Sequence, residues 1–353
     1  MEFKKLSEAY LLSRLQPEAE LLPPLRIAAR LPSEVGDHAD ARIQLAWGDF
    51  KFSAIIEVKT QSTPLMVLKA ATQAKTSIIG EELPMIMVPY LSPERLQDLE
   101  QMQVSGIDLC GNGIVVVPGY LYVLRTGQPN RFPESRPLSN PYRGRSALVG
   151  RMLLLHPKWQ TLKELTSAIE KAGGDLSLPQ ASKAIQAMED DLIVSKKSGL
   201  ISLQEPLKLL DKLAASWEKF RPLERKAFRL PSETKWAQAL SSDPQLQWAV
   251  TGESSVTRYI VFSQCGPRKI AVSNLPKAAK LLEGIPESIP NFADVELLET
   301  LEPGIFFGSV TDNAGIHWAS RIQTWLELKT GDARQQDAAR ELQNQILEEC
   351  KDV

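Results

Sequence analysis

Along the first 127 residues, runs that alternate apolar and polar give way to runs with helical spacing and back again. Arg42 to Trp47 alternates in character, Gly48-Asp49 is a two-residue turn pair, and Phe50 to Val58 alternates again. That pattern predicts a β-hairpin. Pro64 to Ile79 is rich in Ala, Leu, Val and Lys and predicts a helix, with Thr63 as its cap and Pro64 at its first position. Met85 to Val88 is short and fully apolar, the mark of a buried strand, and Ser92-Pro93-Glu94 opens a helix that runs to Gln103. Gly106 to Leu109, Ile114 to Val117 and Tyr120 to Leu124 read as further strands around the turn Gly111-Asn112-Gly113. Met1 to Gln16 reads as an amphipathic helix and not as a signal peptide, because Glu2, Lys4, Lys5, Glu8 and Arg14 interrupt any apolar stretch. Strands interleaved with two helices predict an α/β domain over 1–127.

Prolines then recur at Pro129, Pro133, Pro137 and Pro141. Proline removes a donor and biases its predecessor away from the helix, so 128–142 is expected to be an extended connector. Beyond it, Ser146 to His156 is an apolar helix, and Thr161 with Glu164 three residues on forms a capping box for a second helix. Ser177 caps a third, over Leu178 to Asp190. Leu178, Ala181, Ala184, Ile185 and Met188 make its inward stripe, while Gln180, Ser182, Lys183 and Gln186 face outward. Two short strand-like runs, Leu192 to Ser195 and Leu200 to Leu203, flank Lys196-Lys197-Ser198-Gly199. Three short helices followed by a basic hairpin predict a winged helix-turn-helix over 143–220, closed by the amphipathic helix Pro206 to Phe220. From 221 to 353, strands at Gln247–Val250, Tyr259–Phe262, Lys269–Val272, Val295–Leu298 and Ile305–Phe307, a helix at Pro276–Leu282 and closing helices at Ser320–Lys329 and Ala333–Glu348 predict a third, α/β domain. The expected class is therefore α/β and α+β, in several domains.

Charge sharpens this division. The chain holds 41 Lys and Arg against 43 Asp and Glu, a formal net charge of −2 over 353 residues, which excludes a uniformly basic nucleic-acid coat. Its distribution is uneven. Residues 1–124 hold 11 basic and 15 acidic side chains, 125–200 hold 12 and 7, and 201–353 hold 18 and 21. The basic surplus lies on the connector and the predicted winged helix, where a polyanion partner would be met. The outward face of the third helix offers amides, a hydroxyl and an ammonium to base edges or phosphates, and Lys196, Lys197, Arg143 and Arg145 are placed to meet the neighbouring backbone. Double-stranded DNA is the expected partner, with no cofactor required for binding, and operator symmetry calls for a homodimer. Three widely spaced cysteines give neither a disulfide framework nor a zinc spacing. No run of apolar residues is long enough to span a membrane, and a reducing cytoplasm is the expected compartment.

A second chemistry lies in the hairpin. Asp40 precedes its first strand, Glu57-Val58-Lys59 ends the second, and Gln73 lies in the following helix. The strand period of two puts Glu57 and Lys59 on one face. Two hard carboxylates, Asp40 and Glu57, can hold Mg²⁺ or Mn²⁺, and a nearby Lys can polarise the attacking water of phosphodiester hydrolysis. This layout resembles the PD-(D/E)XK restriction-endonuclease-like fold, with Glu8 as the acidic residue of its leading helix. Ala39 stands where that motif commonly has proline, and Asp37 competes with Asp40 for the first carboxylate role. The structural alternative is that Glu57 and Lys59 form an ion pair on a scaffold that does not cleave.

Trp248 to Ser254, Ala319 to Leu328 and the Ala-rich stretch Ala338 to Leu342 are similar to the C-terminal part of AbiEi-type antitoxins, the regulator halves of type IV toxin–antitoxin systems. Gly106-Ile107-Asp108, Gly111-Asn112, Gly127 and Asn130-Arg131-Phe132 resemble one branch of that family, in which an endonuclease-like part precedes the winged helix. The resemblance implies a transcriptional regulator that binds its own operator and represses its operon. It also implies a nucleotidyltransferase toxin counteracted without a tight complex. Two function classes thus stand: a DNA-binding regulator, and a metal-dependent DNA nuclease targeted by its winged helix. A third possibility is a protein-docking scaffold within such a locus.

Overall fold

The computed structural model describes residues 6–32, 39–132, 140–218, 220–230, 235–263, 266–282, 285–287 and 292–351. Asp37 and residues 133–139 of the proline-rich connector lie outside the described residues. The protein is mixed α/β, with several sheets and helices. Its chain forms two compact units: Met1–Leu138 with Asp190–Leu192, and Ser139–Glu189 with Ile193–Val353.

In the first unit, a short helix α1 (Glu8–Leu12) leads into strands β1 (Arg26–Leu31), β2 (Ala41–Trp47) and β3 (Phe50–Val58). Helix α2 (Pro64–Thr76) precedes β4 (Leu83–Val88), and α3 (Pro93–Gln101) precedes β5 (Ser105–Asp108), β6 (Gly113–Val117) and β7 (Leu121–Arg125). The seven strands form one sheet in sequence order. β1, β2 and β3 run antiparallel, β3, β4 and β5 run parallel, and β5, β6 and β7 are antiparallel again. The parallel stretch is where α2 and α3 stand, since a parallel pair needs a crossover. Alternation divides the core between the two faces. Ile43, Ile56, Met85 and Met87 pack with Leu11 on one, and Ile86 and Val88 pack with Val67, Ala71 and Leu99 on the other. Both helices start as their sequences predict: Thr63 Oγ1 accepts from Met66 N at 3.4 Å, Ser92 Oγ accepts from Arg95 N at 3.4 Å, and a proline follows each cap.

The second unit opens with α4 (Ala147–Leu155), the short strand β8 (Lys158–Trp159), α5 (Leu162–Lys171) and α6 (Leu178–Asp190). Strands β9 (Val194–Lys197) and β10 (Leu200–Leu203) form a hairpin, with Ser198 and Gly199 both at positive φ as a two-residue turn requires. β10 lies between β8 and β9 in a three-stranded antiparallel sheet. Helix α7 (Pro206–Ser216) follows. Next come β11 (Arg225–Arg229), α8 (Trp236–Ser241), β12 (Trp248–Val250) and α9 (Glu253–Val256). They are followed by β13 (Arg268–Val272), α10 (Leu275–Leu282), β14 (Ile285–Glu287) and β15 (Val295–Glu299). β16 (Val310–Thr311), β17 (His317–Trp318), α11 (Arg321–Lys329) and α12 (Ala333–Lys351) end the chain. The second large sheet has the order β14-β11-β15-β13-β12-β17-β16. One continuous core joins α4, α5, α6 and α7 to α11 and α12, through Leu153, Ile169, Met188, Leu210, Trp325 and Leu342.

Several local expectations change. The opening helix covers only Glu8–Leu12 of the described residues. Tyr259–Phe262 is not a strand but a turn after α9: Ile260 N bonds back to Val256 O, and Tyr259 Oη donates to Ala319 O at 2.6 Å. Ile305–Phe307 is not a strand either, because Pro303–Ile305 forms a single 3₁₀ turn that buries Ile305 and Phe307. Leu178 is 48% exposed at the start of α6 rather than part of its inward stripe. No helix among the described residues is long and apolar enough to cross a membrane.

Candidate functional site

The hairpin chemistry assembles from three backbone positions in the first unit. Asp40 sits just before β2, Glu57 is the penultimate residue of β3, and Lys59 follows its end. Asp40 Oδ2 accepts a hydrogen bond from Val58 N at 2.7 Å, which holds the carboxylate against the end of β3. Lys59 Nζ lies 3.3 Å from Glu57 Oε2 and 3.9 Å from Asp40 Oδ2. The Glu57 side chain is only 3% exposed, against 29% for Asp40 and 21% for Lys59. Burial, and then the neighbouring Asp40 charge, push the Glu57 carboxyl above its ordinary range, while Lys59 pulls it partly back. A buried carboxylate beside a second one is a site a divalent cation would relieve, and Mg²⁺ binds through one or two carboxylates with the rest of its shell as water. Among the described residues no group of three or more His, Cys, Asp or Glu is placed to hold a metal, so Asp40 and Glu57 are a two-carboxylate set. Gln73 is exposed on α2, on the side away from Ala70, Ala71 and Ala74, and its side chain makes no hydrogen bond among the described residues. Glu8 is likewise exposed.

The Gly111-Asn112 turn is organised by a different acid. Asp108 is fully buried, and its carboxylate accepts from the backbone N–H groups of Leu91, Cys110, Gly111 and Asn112 and from Asn112 Nδ2, all within 2.7–2.8 Å. With every lone pair engaged, its work is to shape the loop.

In the second unit, α6 presents Gln180, Ser182, Lys183 and Gln186 as exposed residues, while Ala181, Ala184, Ile185 and Met188 are buried. Gln180 has a structural task as well: its Oε1 accepts from Ser177 N at 3.1 Å and Ser177 Oγ at 3.0 Å, the backward half of a capping box. Its NH₂ points to no protein acceptor among the described residues. Gln186 Nε2 reaches Glu189 Oε2 at 3.4 Å. Lys196 and Lys197 are exposed on β9. Arg143 and Arg145 are also exposed, but both are ion-paired within the unit, Arg143 with Glu218 and Arg145 with Asp175 at 2.8 Å. Exposed pairs of this kind hold about 0–1 kcal/mol, so a phosphate can displace either carboxylate.

Sequence reasoning missed a third polar constellation. Arg151, on the apolar helix α4, is 5% exposed and donates to Gly304 O at 2.7 Å and Gln323 Oε1 at 2.9 Å. Burial lowers its guanidinium to about 10. Gln323 and Thr251 in turn donate to Glu327 Oε1, the latter at 2.7 Å. Gln323 and Glu327 stand four apart on α11, the one spacing in the sequence that could have paired them. Comparison with protein-family models, with curated proteins and with solved structures finds no match to this chain.

Proposed function

We propose that this chain is a DNA-binding transcriptional regulator whose α4–α6 helices and β9–β10 hairpin act as a winged helix-turn-helix on double-stranded DNA. The observation that carries the reading is the outward face of α6. Gln180, Ser182, Lys183 and Gln186 are all exposed, with no acidic residue before Glu189, and the Lys196-Lys197 pair begins six residues beyond the end of α6. An α-helix fits the major groove, where amides and hydroxyls read base edges and ammonium groups hold phosphates. Arg143 and Arg145 extend the cationic surface once their carboxylate partners are exchanged for phosphate. The finer reading is an AbiEi-like antitoxin that represses its own operon as a homodimer, beside a nucleotidyltransferase toxin with which it forms no tight complex. A gel shift of the full chain on duplex from its own promoter tests this. The Lys183→Ala/Lys196→Ala/Lys197→Ala variant is expected to bind about tenfold or more weakly. Unchanged affinity would sink the reading.

A second reading is favoured by one observation, the convergence of Asp40, Glu57 and Lys59: a metal-dependent nuclease of the PD-(D/E)XK-like kind. Asp40 and Glu57 are the residues that would hold Mg²⁺ or Mn²⁺, and the bound ion supplies Lewis acidity and a nucleophilic hydroxide at neutral pH. Lys59, between the two carboxylates, is placed to polarise the attacking water and to offset charge on the phosphate. Plasmid and linear DNA incubated with either metal should be cut by the wild type and left intact by Glu57→Ala. Intact DNA with the wild type under both metals retires this reading.

A further inference from the structure

A cavity of about 180 Å³ opens in the second unit beside the Arg151–Gln323–Glu327 network. That is well above the roughly 10–15 Å³ one water needs. Its walls carry Arg225, Thr251, Gly252, Glu253, Lys269 and Glu327, with Trp217, Phe220, Leu298 and Leu328 on the apolar side. Gly252 is the pivot of the site. It sits at φ 58°, ψ −140°, a conformation open in practice to glycine alone. A Cβ there would lie 3.2 Å from Glu327 Oε2 and 3.9 Å from the Lys269 Cδ. Glu327 and Lys269, of opposite charge, therefore flank the same backbone position.

They do not pair with each other. Glu327 takes its hydrogen bonds from Thr251 and Gln323 and from the backbone of Gly252. Lys269 is half-buried, and among the described residues its ammonium has no partner. The Trp217 ring lines another wall, with Arg151 5.3 Å over it; its Nε1 is buried away from solvent, with no acceptor among the described residues. Lys269 thus offers the cavity a cationic donor with no partner among the described residues, beside the Glu327 carboxylate on the same wall. The remaining charges narrow its chemistry. Glu253, Glu296 and Glu327 outnumber Arg225 and Lys269 on the lining, and Arg225 stands 3.9 Å from Glu296. A simple anion would meet three carboxylates, and a simple cation would leave Lys269 idle.

We propose that this cavity binds a small zwitterion, an α-amino acid with an apolar or aromatic side chain. Its carboxylate sits on Lys269, its ammonium on Glu327, and its side chain against Phe220, Leu298 and Leu328. The proposal does not rest on DNA binding, since Lys183, Lys196 and Lys197 are not part of the cavity.

Calorimetric titration of the full chain with leucine and phenylalanine tests it, beside N-acetylphenylalanine and phenylalaninamide. At least one free amino acid is expected to bind, and each blocked form about tenfold or more weakly, because each lacks one of the two charges. Lys269→Gln should lose the same factor with its melting temperature unchanged, as the Lys269 ammonium has no partner among the described residues to forfeit. Glu327→Gln should lose it too, and its fold is checked by circular dichroism. Absence of binding by both free amino acids, equal binding of the blocked forms, or wild-type affinity in Lys269→Gln would each overturn the proposal.

Discussion

Glu57 is held where a carboxylate is least comfortable: almost wholly buried, beside Asp40, with Lys59 as the compensating charge among the described residues. Such strain is common at sites kept for function rather than stability. Its carboxyl titrates above the ordinary value of 4.5 in the native state, so between that value and the raised one the native state holds more proton than the unfolded chain. Stability therefore falls as pH rises through that window. Glu57→Gln removes the penalty. Urea melts from pH 4 to pH 8 are expected to show the variant gaining on the wild type as pH rises, then holding a constant lead; a variant less stable than wild type at neutral pH would contradict this. At this scale much was legible. The period of two puts Glu57 and Lys59 on one face, and Asp40 meets them at the open end of the hairpin, where Ala41 pairs with Ile56. What the sequence could not show is the partner choice of long side chains. Arg143 and Arg145 find Glu218 and Asp175, which are 75 and 30 residues away, and Gln73 stays in solvent.

Elements follow local signals where those signals are strong. Thr63, Ser92 and Thr161 cap their helices as read from the sequence, though Thr161 makes only the forward half of its box, accepting from Glu164 N at 3.1 Å. The backward half appears instead at α6, through Gln180. That double duty yields a prediction. Glu serves the capping box as well as Gln does, so Gln180→Glu should keep the melting temperature while weakening DNA binding by placing a carboxylate on the side proposed to face the groove. Gln180→Ala should instead cost roughly 0.5–1 kcal/mol of stability. Thermal melts with a parallel gel shift separate the two; a Gln180→Glu variant that binds as wild type would remove Gln180 from the interface. Element reading failed where tertiary packing decided the outcome. Tyr259–Phe262 and Ile305–Phe307 are apolar runs that look like strands. The first turns back on α9, and the second is bent by Pro303-Gly304 so that Gly304 O can meet Arg151. β1 and β11 escaped notice because Arg26, Arg30, Arg225 and Arg229 break their apolar pattern.

At the scale of the molecule, the near-zero net charge conceals a basic middle, and that middle carries the helices and hairpin proposed to meet DNA. The order of strands and helices was legible enough to give a mixed α/β chain. The joining of α4–α7 with α11 and α12 in one core was not, because it depends on packing between elements more than a hundred positions apart, such as α4 and α12. The proposed contact with DNA through α6 and the β9–β10 hairpin is electrostatic. It is tested most directly by fluorescence anisotropy on a promoter duplex across a salt series, with wild type beside Lys183→Ala/Lys196→Ala/Lys197→Ala. Each lysine that neutralises a phosphate contributes about 0.9 to the slope of log affinity against log salt, so the variant's slope should be shallower by about 2–3. Identical slopes and affinities for the two proteins would contradict the claim.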